Sequence, residues 1–152
     1  MRYIKTVILI ILCIFVLASC GAEKSALGIV EDVRERFAFK YGAVYSDEYG
    51  EWDAYCFTTE LKKTVLGKNA EKYSYVKAIS GYFARDMVSG SEFIAAELSD
   101  RSKRAELTAV FYRRASKKLD ADARVWCEGN FVFFICDARA EEIIEFLKRE
   151  MG

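Results

Sequence analysis

The chain has 152 residues, equal numbers of acidic and basic side chains, and no histidine. A balanced net charge suggests no nucleic-acid partner. The lack of histidine excludes the usual general base, the Ser-His and Cys-His nucleophile pairs and imidazole metal ligands. Any catalysis would depend on carboxylates, Lys, Tyr, Ser or Cys, and the sequence predicts no cofactor and no metal site.

The N-terminus has the order of a secretory signal, with a basic start followed by an apolar run and small residues. Arg2 and Lys5 supply the charge, and residues 7–18 are continuously apolar. This run is shorter than the ~20 residues that a membrane-spanning helix needs. We therefore predict a cleaved signal peptide over residues 1–19.

A cysteine directly after the signal indicates lipidation. The junction Leu17-Ala18-Ser19-Cys20 resembles the lipobox of bacterial lipoproteins. By this resemblance the signal is cleaved between Ser19 and Cys20, the sulfur of Cys20 is acylated, and the protein is held on the extracytoplasmic face of the cell membrane. One acyl chain anchors a protein only marginally, and the diacylglycerol of lipoproteins supplies two. A cleaved signal without lipid is the alternative.

The remainder of the chain is one domain's worth of sequence. The signal contains two of the 23 basic residues and no acid, so 21 basic residues face 23 acidic residues after cleavage. Residues 20–24 form a short tether, and residues 25–152 form a single domain. The short tether is expected to hold this domain close to the bilayer.

Apolar residues at three- and four-residue spacing predict an amphipathic helix after Ser25, which is a good N-cap residue. The polar face of this helix is mixed in sign, so we expect it to dock on a core and not on a membrane. The apolar positions are Ala26, Ile29, Val30, Val33, Phe37 and Tyr41.

Two further elements follow in the first half. Thr58 or Thr59 is expected to cap a short helix that ends at Gly67. Aromatic and β-branched residues then predict a strand over residues 75–86, with a bulge at Gly81.

Residues 41–60 have the most unusual composition, because they combine many acids and rings with no basic residue. Rings that stack on a sugar or peptide, beside carboxylates that meet a cation, would form a ligand surface. An irregular loop whose rings cover the edge of the core is the structural alternative. The spacing of the acids does not match a calcium loop. The candidate ligand residues are Tyr45, Asp47, Glu48, Tyr49, Glu51, Trp52 and Asp53.

The longest helix is predicted from Ser99 or Asp100 to Leu119. Its inner face is expected to be Ala105, Thr108, Ala109, Tyr112, Ala115 and Leu119, and its outer face gathers Lys103, Arg113, Arg114, Lys117 and Lys118. Near an anionic leaflet each such charge contributes ~1 kcal/mol of attraction within a Debye length. This face is a candidate membrane- or polyanion-facing surface, and a solvated helix face is the alternative.

The second half repeats one pattern, a hairpin followed by a helix, over residues 75–119 and 122–150. The strand over residues 131–136 is apolar on both faces, so we expect it to lie centrally. Stacking the two hairpins edge to edge gives an antiparallel sheet of about four strands, with two helices on one face and an additional N-terminal helix. The predicted fold is an α+β two-layer sandwich.

Glycines mark the turns of both hairpins, at Ser89-Gly90 and at Gly129-Asn130. With a two-residue second turn, Cys127 faces Val132 and Cys136 faces Ala123, so these two thiols are not opposed. Once Cys13 leaves with the signal and Cys20 takes the lipid, Cys56, Cys127 and Cys136 remain, which allows at most one disulfide within the chain. We interpret these three as small buried apolar residues.

Several stretches together resemble a family of small lipoproteins from Gram-positive, clostridia-type bacteria whose shared domain has no known function. Beside the lipobox, they are Thr59-Glu60-Leu61-Lys62-Lys63 running into Gly67, Tyr73-Ser74-Tyr75-Val76, Phe93-Ile94-Ala95-Ala96-Glu97-Leu98 before a charged helix, and Gly129-Asn130-Phe131-Val132-Phe133-Phe134-Ile135. The resemblance implies that the protein is located at the cell surface, and it identifies no catalytic residues.

Three functions remain open. The leading hypothesis is a non-catalytic, membrane-tethered module that binds an envelope protein or a cell-wall polymer. The second is an envelope hydrolase or transferase that pairs Asp47 with Glu51 or Asp53 across a cleft. The third is an accessory subunit that packs an uncovered sheet face on a membrane-protein partner.

Overall fold

A computed structural model of the chain describes residues 24–85, 90–118 and 122–152. The predicted signal peptide, its cleavage site and Cys20 lie outside these residues. The described part contains four α-helices and a five-stranded sheet, which confirms the α+β class. The strands are β1 (Gly42–Ser46), β2 (Val76–Ala84), β3 (Glu92–Leu98), β4 (Ala123–Glu128) and β5 (Phe131–Cys136), and the helices are α1 (Ala26–Arg36), α2 (Thr59–Leu66), α3 (Arg104–Ala115) and α4 (Ala140–Met151).

The sheet has the order β1-β2-β3-β5-β4, and all neighbouring strands are antiparallel. The pairing of β3 with β5 joins the two hairpins edge to edge, as predicted. The fifth strand is β1, which extends the sheet at the free edge of β2. The sheet therefore has five strands, one more than the sequence predicted, because β1 lies inside the stretch that was interpreted as a ligand surface or a loop.

The second hairpin confirms its prediction in register and burial. Glu128 lies opposite Phe131, so Gly129 and Asn130 form a two-residue turn, and Gly129 has a φ of 54°. As expected, Cys127 is opposite Val132. Every residue of β5 is buried, because β5 is an inner strand with both faces covered.

Helices cover both faces of the sheet, so the layers number three where the sequence predicted two. Helices α1 and α4 pack on the face that contains Phe93 and Phe133. Helices α2 and α3 pack on the opposite face, which contains Ile94 and Phe134. The prediction that the two helices after the hairpins share one face is therefore wrong, because α3 lies with α2 on one face and α4 lies with α1 on the other.

The helix boundaries follow their caps. The Ser25 hydroxyl accepts the N–H of Gly28 at 3.1 Å, as an N-cap does. Helix α1 nevertheless ends at Arg36, since Ala38 turns to a φ of 50°. The prediction that Tyr41 belongs to its inner face is therefore wrong, and Tyr41 is exposed. Helix α2 is capped by Thr58 as expected.

Strand β2 is shorter than predicted and its irregularity lies elsewhere. The register shifts between Val76 and Ala78, and Gly81 pairs regularly with Ile94. A Cβ at Gly81 would approach the ring of Phe83 to 2.9 Å, so the glycine provides space for that ring. Of the predicted Ser89-Gly90 turn, Ser89 lies outside the described residues.

The buried face of α3 also differs from the prediction. Asp100 caps a short 3₁₀ turn, Arg101–Lys103, which leads into the helix. The buried residues are Leu107, Val110 and Phe111. The expected inner residues Ala105, Ala109 and Tyr112 are exposed, and Leu119 lies outside the described residues.

The two ends of the sheet have different neighbours. At one end lie the last residue of β1, the first of β2 and the turn at 129–130. Helix α1 begins and α4 finishes at this end, where the Nζ of Lys24 contacts Glu150 at 2.8 Å. We call it the Lys24 end. The opposite end, where β3 begins and β5 finishes, is the Glu92 end.

Candidate functional site

Six of the seven candidate ligand residues lie in a compact loop, residues 47–55, at the Lys24 end. Backbone hydrogen bonds close its base, because the Ser46 N–H donates to the Tyr55 carbonyl at 3.1 Å and the Phe57 N–H donates to the Ser46 carbonyl at 2.9 Å. Loops with closely spaced, bonded ends hold their shape on a surface. The seventh residue, Tyr45, lies on β1.

Asp47 fixes the loop to the body of the domain. Its Oδ1 accepts the Ile79 N–H at 2.8 Å, and its Oδ2 contacts the Nζ of Lys62 at 2.8 Å. The first contact reaches β2 and the second reaches α2. Asp47 is therefore a bracing residue that ties three segments together.

Glu48 joins the loop to the first turn of α1. Its Oε1 accepts the Leu27 N–H at 2.8 Å. That N–H is one of the donors that a helix start leaves without an intrahelical partner, and a carboxylate there also complements the helix dipole. The loop therefore helps to cap α1 together with Ser25.

Glu51 and Asp53, the acids predicted to pair with Asp47 in a hydrolase, have different surroundings. The Oδ1 of Asp53 accepts the Tyr55 N–H at 2.7 Å, within the loop itself, and Glu51 is exposed. Asp47, Glu48 and Asp53 are directed at three different parts of the chain. This is the arrangement of a braced loop.

The rings near the loop divide into packed and exposed groups. Tyr45 meets Tyr55 edge-on at 5.7 Å, and its hydroxyl accepts from Arg85 at 3.1 Å. Partial burial, with the Glu31 carboxylate nearby, raises the pKa of Tyr49 above its ordinary value. By contrast, Trp52 is 98 % exposed. The loop therefore presents the ring of Trp52 almost fully to its surroundings, and that of Tyr55 in part.

The candidate basic face of α3 does not form one surface. The Nε of Arg114 contacts Glu92 Oε1 at 2.6 Å, and the Nζ of Lys118 contacts Oε2 at 2.8 Å. Both cations are thus drawn against the sheet, while Arg113 and Lys117 remain exposed.

Lys103 is separated from the other four basic residues. It contacts Glu106 at 3.6 Å and lies 5.8 Å above the ring of Tyr75, at the Lys24 end. The 12 residues of α3 rise about 18 Å from there toward the Glu92 end. A membrane at either end would meet only part of the predicted basic set.

Sequence reasoning missed a second polar centre at the Glu92 end. Asp137 accepts from the Ser91 hydroxyl at 2.7 Å and from the Nε of Arg139 at 2.9 Å. Burial alone would raise the pKa of Asp137, but the hydrogen bonds from Arg139 and Ser91 outweigh it and hold the pKa below its ordinary value. Asp137 also accepts the N–H of Arg139 at 2.9 Å, although Arg139 is the N-cap residue of α4 and no side chain caps that helix.

A cavity of about 290 Å³ lies between α2, the turn at Ala70–Tyr73 and the start of β2. The sequence predicted the helix and the strand but not the space between them. Two of the three charged residues that line it are engaged, since Lys62 bonds Asp47 and Lys63 bonds Glu60 at 2.7 Å, and the third is Glu71. The cavity therefore offers few groups that are ready to hold a ligand.

The described cysteines are free thiols. The prediction that all three are buried is wrong for Cys56 and Cys127, which are partly exposed, and is confirmed for Cys136, whose burial raises the pKa of its thiol. Within the described ranges no group of three or more Cys, Asp or Glu side chains is placed to hold a metal ion. No helix in the described part of the chain is both long and apolar enough to cross a membrane.

The chain matches no protein-family model, and no curated protein or solved structure matches it. The resemblance to small clostridia-type lipoproteins therefore stays a prediction that depends on the sequence motifs alone.

Proposed function

We propose that this protein is a lipid-anchored, extracytoplasmic lipoprotein whose domain is a non-catalytic binding or interaction module of the cell envelope. The observation that carries the proposal is the junction Leu17-Ala18-Ser19-Cys20 directly after an apolar run too short to span a bilayer. The acyl chains on Cys20 hold the domain at the outer membrane surface.

The position of Lys24 supports a close, oriented attachment. Its Nζ contacts Asp32 in α1 and Glu150 in α4, both at 2.8 Å, and these hydrogen bonds raise the pKa of Lys24. Cys20 precedes Lys24 by four residues, so its Cα lies at most about 14 Å away. The Lys24 end of the sheet is therefore the end nearest the lipid.

The roles of the loop carboxylates favour a binding module over a hydrolase. Asp47 and Asp53 hold backbone N–H groups, and Glu48 caps α1. Both faces of the described sheet carry helices, so an accessory subunit would have to use a helix or loop surface and not the sheet. An envelope partner accordingly meets the domain through its loops or helix exteriors.

Two cysteine variants test the anchor. In Cys20→Ala cells we expect no incorporation of a clickable fatty acid and accumulation of unprocessed precursor or its release from the membrane. Cys13→Ala is the matched control, because it removes a cysteine from the same signal and should be labelled and retained like the wild type. Normal labelling and membrane retention of Cys20→Ala would refute the anchor.

Chemical cross-linking in intact cells tests the binding role. Cross-linked adducts of the wild-type protein with one envelope protein or polymer are expected, and they should diminish in Cys20→Ala, which lacks the membrane address. An adduct pattern identical to that of an unrelated lipoprotein would argue against a specific module.

A further inference from the structure

We propose that the loop at residues 47–55 is a second membrane contact, in which Trp52 rests in the headgroup layer and fixes the orientation of the domain. This inference rests on the proposed lipid anchor at Cys20. The partner is a lipid surface, and the anchor determines which end of the domain reaches it.

The position of the loop provides the first argument. Glu48 bonds Leu27 in the first turn of α1, which is the turn that the tether enters. Trp52 follows Glu48 by four residues and so lies within about 14 Å of it along the chain. The tether and the loop therefore leave the domain from the same end, and a lipid attached at Cys20 brings a bilayer within reach of Trp52.

The exposure of Trp52 provides the second argument. It is 98 % exposed, whereas Trp126 is half-buried and stacks on Phe133 with 5.4 Å between ring centroids. A tryptophan ring is apolar with one polar N–H, and such rings concentrate at the membrane–water interface. An exposed tryptophan at the lipid-facing end has the chemistry of an interfacial anchor.

The bracing of the loop provides the third argument. Hydrogen bonds close the base of the loop, and Asp47 and Glu48 attach it to β2, α2 and α1. A ring on a braced loop loses little further freedom when it enters the headgroup layer. Because the acyl chains already retain the protein, Trp52 contributes orientation and not retention.

The charges beside Trp52 limit the depth and the lipid preference of this contact. Glu51 and Asp53 flank the ring on either side and are exposed. Carboxylates stay at the water-facing level, and an anionic leaflet repels them. We therefore expect Trp52 to reach no deeper than the boundary between the headgroups and the acyl chains, and to do so less in vesicles rich in phosphatidylglycerol.

Fluorescence of the full-length lipidated protein tests the inference. Trp126→Phe leaves Trp52 as the only tryptophan, and Trp52→Phe leaves Trp126 as the matched control. Each variant is reconstituted into phosphatidylcholine vesicles whose acyl chains are brominated either near the headgroup or near the chain end. We expect a blue shift of Trp52 emission on reconstitution, strong quenching by the shallow bromines, weaker quenching by the deep ones, and protection from iodide. Trp126 should be quenched little by either lipid.

Vesicle flotation of the same samples separates the two proposals. If both variants float but Trp52 is unquenched by lipid and stays accessible to iodide, the loop faces solvent and the inference is overturned, while the anchor stands. If neither variant floats, the anchor fails and the inference fails with it. Equal quenching of Trp52 and Trp126 would also overturn it, because the loop would then have no special position.

Discussion

The loop carboxylates at the Lys24 end and the buried carboxylates at the Glu92 end have different main partners. At the Glu92 end, the buried carboxylates of Glu92 and Asp137 are each held by cations from helices or helix starts. At the Lys24 end, the loop carboxylates bond backbone N–H groups at the surface and leave Trp52 exposed. We therefore expect the buried ion pairs of the Glu92 end to contribute to stability, and the braced loop of the Lys24 end to serve as a surface for contact.

The largest effect is expected at Glu92. Glu92→Gln should lower the free energy of unfolding by about 3 kcal/mol, because it removes the charge that Arg114 and Lys118 share in a buried setting. Chemical denaturation measures this. Glu97→Gln is the control, since Glu97 is similarly buried but its partner Lys77 is largely exposed. This variant should lower the free energy of unfolding by only about 1 kcal/mol. If both variants lose the same free energy of unfolding, the burial of the cationic partners makes no difference to stability.

Asp137 should make the stability of the folded protein decrease at acid pH. Its pKa is lowered from 3.8 in the folded protein, so its contribution is fully present above pH 3.8 and is lost as the pH falls through the lower, folded value. Asp137→Asn should cost about 2 kcal/mol at neutral pH. Denaturation curves should show the gap between variant and wild type narrowing below pH 3.8. A gap that stays constant at acid pH would show that the charge is not the cause.

Changes at the Lys24 end should be smaller. Asp47→Ala removes both an acceptor for the Ile79 N–H and the pairing with Lys62, and should cost about 1.5 kcal/mol. Asp47→Asn keeps an acceptor and should cost roughly half of that. Stability measurements on both variants separate the hydrogen bond from the charge. A larger loss in the Asn variant than in the Ala variant would contradict the assigned roles.

The second hairpin could be predicted almost completely because its determinants are local. Gly129 and Asn130 suit a two-residue turn, and that turn sets the register in which Cys127 meets Val132. The continuous apolar run of β5 also predicted that this strand lies inside the sheet, where it pairs with β3 and β4. Each of these signals lies within about a dozen residues of sequence.

The prediction of the inner face of α3 is wrong because an arginine interrupts the apolar stripe of Leu107, Val110 and Phe111. Arg114 occupies the same stripe as Leu107 and Phe111, so a count of apolar positions selected the alanine-rich face instead. The arginine is accommodated only because Glu92, 22 positions earlier, is buried against it. Hydrophobic periodicity within the helix cannot reveal an ion pair with a residue outside the helix.

The candidate loop was found by composition, but the roles of its residues were not. Glu48 contacts Leu27 across 21 positions, and Asp47 contacts Ile79 across 32. Some of the acids that suggested a ligand surface instead accept the hydrogen bonds that shape the loop. Strand β1 could not be predicted because it has only five residues, and the alternation of apolar and polar side chains over so short a stretch does not distinguish a strand from a loop.

The proposed orientation of the domain on the membrane depends on the lipidation that we predict at Cys20. Mass spectrometry of the N-terminal peptide from membrane-extracted protein tests it most directly. We predict a peptide that begins at Cys20 and carries a diacylglyceryl group on its sulfur. An N-terminus at any other residue, or an unmodified Cys20, would contradict the lipid anchor and the membrane-facing Lys24 end together.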